Sequence, residues 1–81
     1  MPNKLFAERL NKELDSIGLP SHGLERIDAF SKLLKIPKFK AEALLEGVTV
    51  PDTELLNRMA EEFEVCSDWL NGKSDQRQKK N

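Results

Sequence analysis

Apolar residues recur along this chain at helical spacing, and nowhere do they alternate as a half-buried strand would. Phe6, Leu10, Leu14 and Ile17 follow one another at steps of four, four and three, which predicts a first helix over residues 4–17 with Leu5 widening its stripe. Gly18 and Pro20 stop that helix, and residues 18–23 form a loop of turn formers. Ile27, Phe30 and Leu34 predict a second helix over residues 24–34, with Glu25, Arg26, Asp28 and Lys32 on the opposite side. Proline disfavours helix in the residue before it but suits a first turn, so Lys35-Ile36-Pro37 is a break. A third helix then starts at Pro37 or Lys38 and runs to Glu46. Its inward residues are Ala41 and Leu44, with Leu45 beside them, and Gly47 closes it.

Asp52 or Thr53 can accept the free amide hydrogens of a fourth helix, in which Leu55, Leu56, Met59, Ala60 and Phe63 build a broad apolar stripe. Glu61, Glu62 and Glu64 line its other side as a solvated acidic face. Ser67 is the expected cap of a last short helix whose Trp69 and Leu70 fold back on the core before Gly72. The pattern therefore gives an all-α fold of five helices in one domain over residues 1–72. Residues 73–81, basic and without apolar pattern, read as a disordered tail.

With 81 residues the chain supports a single core, for which the four Phe and one Trp are the expected bulk. No apolar run approaches the roughly 20 residues that span a bilayer, and the charged start is unlike a signal-peptide core, so a cytoplasmic location without membrane attachment is expected. The lone Cys66 reads as a small packing or helix-start residue, and one His with one Cys cannot complete a four-ligand zinc site. His22, without a partner in sequence, reads as a solvated loop residue. No nucleophile–base pair, paired-carboxylate pocket or phosphate loop can be assembled, so neither an enzyme nor a cofactor is expected.

The net charge of −1 carries no global nucleic-acid signal, but its distribution is uneven. Lys32, Lys35, Lys38 and Lys40 fall in an acid-free stretch, whereas residues 52–68 hold six acids against Arg58.

In its order of helices the chain resembles the DNA-binding domain of phage repressors and Cro-like regulators. The similarity covers roughly residues 4–72 and rests on three portions. They are the corner Leu33-Leu34-Lys35-Ile36-Pro37, the helix end Leu44-Leu45-Glu46-Gly47 with Pro51 following, and the closing segment from Val65 to Gly72 with its Val-x-x-x-Trp-Leu-x-Gly pattern. The chain departs from the family in its longer Pro-Ser-His-Gly loop, in Lys35 where the corner usually has Gly, and in Ala41 where the third helix usually buries Ile or Val. If the same turn is kept, Lys35 carries a left-handed backbone, and Ala41 lets the helices approach more closely or pack less fully.

The resemblance implies a helix-turn-helix at the second and third helices and a transcriptional regulator, a small repressor, that binds double-stranded DNA. Lys38, Phe39, Lys40, Glu42, Ala43 and Glu46 would then face the major groove and read bases. Arg26, Lys32 and Lys35 would contact phosphates. Phe39 equally fits a core position, and Glu42 and Glu46 repel phosphates unless they lie over base edges. One such unit covers few base pairs, so a homodimer on two half-sites would supply useful specificity. The other reading is a protein-interaction module on the same scaffold, binding a protein partner through the acidic fourth helix or Phe39.

Overall fold

The computed structural model describes residues 3–21 and 23–78, which form five helices and no strand. They are α1 (Lys4–Ser16), α2 (Gly23–Leu34), α3 (Lys38–Leu45), α4 (Thr53–Phe63) and α5 (Ser67–Leu70). His22 and the last three residues of the tail lie outside the described residues.

Each helix has a local cause. Asp52 caps α4 by accepting the Leu55 amide hydrogen at 2.8 Å. Pro37, in extended backbone, holds the cap position of α3, where its missing N–H leaves no helical hydrogen bond unmade. At the front of α5 the expected Ser67 cap is instead the first helical residue. Cys66 holds the cap position without a side-chain bond.

All five helices end in the same way. A left-handed residue follows the last turn, and the amide after it bonds back five residues, as in Leu19 to Leu14, Ile36 to Ser31, Val48 to Ala43, Val65 to Ala60 and Lys73 to Asp68. At three ends that residue is glycine; at the ends of α2 and α4 it is Lys35 and Glu64, each with φ 57°. Gly47 also has no room for a side chain, since a Cβ there would lie 3.1 Å from the Asn3 carbonyl oxygen and 3.3 Å from the Ala7 Cβ.

The core gathers Phe6, Leu10 and Leu14 of α1, Phe30 and Leu34 of α2, Ala41 and Leu44 of α3, the predicted stripe of α4, and Val65, Trp69 and Leu70. Burying each such leucine contributes about 2 kcal/mol. Ala41 is fully buried, so α2 and α3 close over it. Two expected members are missing: Leu5 and Ile17 stay largely exposed, and Ala7 and Glu13 complete the inner face of α1. Phe39 is also outside, so three phenylalanines rather than four fill the interior.

The expected disordered tail needs correction over residues 73–78. Arg77 donates two hydrogen bonds to the carboxylate of Glu13, at 2.8 and 2.7 Å, and Glu13 is only 3% exposed. The Cys66 amide donates to the Arg77 carbonyl at 2.8 Å, and Val65 forms an isolated antiparallel bridge with Gln78. The guanidinium groups of Arg9 and Arg77 lie 4.8 and 5.7 Å from the centre of the Trp69 ring, within cation–π range. A buried carboxylate needs a paired cation, and this segment supplies it.

Three substitutions should change stability. Lys35→Gly and Glu64→Gly should each stabilise the fold by about 0.5–1 kcal/mol, the relief of a left-handed side chain less the added freedom of the unfolded glycine, read from urea midpoints. Arg77→Ala should cost about 2–3 kcal/mol in the same measurement, because it leaves Glu13 buried without its partner.

Candidate nucleic-acid interface

α3 is short and buries little. Eight residues do not form a stable helix alone, so its position depends on its attachments. At its front is the corner made by left-handed Lys35, where the Ile36 amide bonds the Ser31 carbonyl at 3.0 Å and the Arg58 guanidinium of α4 donates to the Leu34 carbonyl. At its rear, the Asn11 side-chain amide of α1 donates to the Leu45 carbonyl at 3.1 Å.

Asn11 is itself held by Arg26. This residue, expected among the phosphate contacts, is 5% exposed and fully engaged. Its guanidinium donates to the Asn11 carbonyl and side-chain oxygen, both at 3.1 Å, to the Pro20 carbonyl at 2.6 Å, and to the Asp15 carboxylate. A phosphate could recruit it only by dismantling that network. Arg26 is therefore a tie between α1, the 18–23 loop and α2, and not a phosphate contact.

The six expected base-reading residues do not share one face. Lys38, Phe39, Glu42 and Glu46 are exposed, Ala43 is half-buried between them, and Phe39 is 76% exposed, which removes its reading as core. Lys40 departs from this group. Residues two apart on a helix point nearly oppositely. Lys40 is half-buried beside a hollow with Ile36, Asp52, Glu54, Leu55 and Arg58, on the side toward α4. The outer face of α3 thus carries one lysine, two glutamates and an exposed aromatic ring.

Lysines border this face. Lys35 is exposed at the corner, and Lys32 and Lys38 both reach Asp28 of α2, each with its ammonium nitrogen 3.1 Å from one carboxylate oxygen. Hydrogen bonds first from Lys38 and then from Lys32 hold the Asp28 carboxyl below its ordinary value of 3.8. Among the described residues no group of three or more His, Cys, Asp or Glu side chains is placed to hold a metal ion, and no helix is long and apolar enough to cross a membrane.

No family model, curated protein or solved structure matches the chain.

Sequence reasoning missed Asn11, Arg58 and Asp28. The Asp28–Lys32 ion pair had a local signal, because Lys32 stands one turn after Asp28.

A depressed carboxylate pKa means that the Asp28 contacts stabilise the fold above the ordinary carboxylate value and are lost as pH falls through the lowered one. An NMR titration of the Asp28 side chain should give a midpoint below 3.8, and Lys38→Ala should move it back toward that value. A wild-type midpoint at or above 3.8 would contradict the arrangement.

Proposed function

We propose that this chain is a helix-turn-helix DNA-binding regulator, a binding module and not an enzyme, that lays the outer face of α3 in the major groove. The observation that carries the reading is that the described residues leave Lys38, Phe39, Glu42 and Glu46 on this face exposed, while both ends of α3 are tied to its neighbours. A major groove admits a helix, and a rigidly presented one loses little entropy on docking.

In this reading Lys38 donates to guanine, Glu42 and Glu46 accept from cytosine amino groups, and Phe39 and Ala43 touch thymine methyls. Lys32 and Lys35 take phosphates. Lys40, on the α4 side, is reassigned from base edges to the flanking backbone. Two half-sites about one DNA turn apart, met by a homodimer, would give the specificity that so small a face lacks.

A second reading has one observation in its favour: a phenylalanine 76% exposed beside two glutamates is also a plausible anchor for a protein partner. Salt separates the two.

Selection of bound duplexes from a random library by the purified protein should enrich a shared motif. Three phosphate lysines predict, for each protomer bound, a slope of log affinity on log salt of about −2.7, roughly a 40-fold loss from 50 to 200 mM. Lys38→Ala should weaken the selected duplex by roughly tenfold, and Lys35→Ala should flatten the slope by about one. Enrichment of no motif, with the fold intact, would move the function to the protein-interaction reading.

A further inference from the structure

Asp28 occupies an unusual place for an acid in a surface that would meet phosphates. It stands on α2, one turn before Lys32, and across the corner from Lys38, the first residue of α3. Both ammonium groups lie 3.1 Å from its carboxylate, one on each oxygen. Among the described residues Asp28–Lys38 is the ion pair that joins α2 to α3. The three side chains are open to water, at 37% for Asp28, 76% for Lys32 and 70% for Lys38. Exposed pairs of this kind contribute little to folding.

What the carboxylate does is restrain two flexible cations at the front of the reading helix. Lysine is a point charge on a four-carbon stem and can serve any phosphate within reach. An ammonium group that gives one of its three hydrogens to Asp28 keeps two for acceptors on DNA, in a narrowed region of space. The same negative charge repels phosphates, so it weakens the sequence-independent part of binding while leaving base contacts in reach.

Resting on the DNA-binding reading, we propose that Asp28 is a specificity-determining positioning residue: it holds Lys38 for base readout and suppresses indiscriminate phosphate binding by Lys38 and Lys32.

The test compares wild type, Asp28→Asn and Asp28→Glu on the duplex recovered by selection and on a scrambled duplex of the same composition, across a salt series. Asp28→Asn should bind the scrambled duplex more tightly, with a salt slope about one unit steeper. Its ratio of selected to scrambled affinity should fall by roughly fivefold or more. Asp28→Glu, which keeps the charge, should retain most of the wild-type ratio, and thermal melting should differ little among the three. An unchanged or increased ratio in Asp28→Asn would overturn the role of Asp28 while leaving DNA binding in place. Wild type that fails to prefer any duplex would overturn both.

Discussion

The corner at Leu34, Lys35 and Ile36 is the constraint on which the arrangement depends. A single left-handed residue turns the chain so that Ile36 bonds back to Ser31 and then returns toward the core, and Pro37 starts α3 within two residues. Lysine is a costly choice there, since its Cβ crowds the following carbonyl. The conformation persists because the surroundings leave no alternative: Ile36 packs against the core, and Arg58 occupies the carbonyl at the end of α2. The far end of α3 is set independently, by Gly47 against Asn3 and by Asn11 on the Leu45 carbonyl. A helix that buries mainly Ala41 and Leu44 is thereby held at both ends, with its other side open.

That economy of burial shapes the proposed chemistry. An outer face with Lys38 beside Glu42 and Glu46 has little to gain from phosphates on its own, so affinity would rest on the lysines around the corner and discrimination on the helix itself. Acids near DNA oppose binding everywhere except where they meet a base donor, which makes them useful for rejecting wrong sequences. In the proposed reading the mixed charge suits moderate affinity, with specificity that pairing of protomers would multiply.

The helices were legible because their apolar stripes are regular and their ends carry Gly, Pro or Asp. The strained corner was legible as well, from the single mismatch of Lys35 with the turn that it must make. The separation of Lys38 from Lys40 could have been read from helical geometry, since a spacing of two does not share a face. Arg26 misled because a charge is assigned outward by default, although it stands one turn before Phe30 on the flank of the buried stripe. Glu13 lies between Leu10 and Leu14 in the same manner. Its partner Arg77 is 64 residues away in a segment without apolar pattern, and no local rule connects them.

In the proposed function the open side of α3 is the surface that meets a duplex. Amide chemical shifts recorded while a selected duplex is added to the labelled protein test it most directly. The largest changes should fall at Lys38, Phe39, Glu42, Ala43 and Glu46, with smaller ones at Lys32 and Lys35 and none at Arg26. Changes centred on α4 or around Trp69, with α3 unmoved, would contradict it.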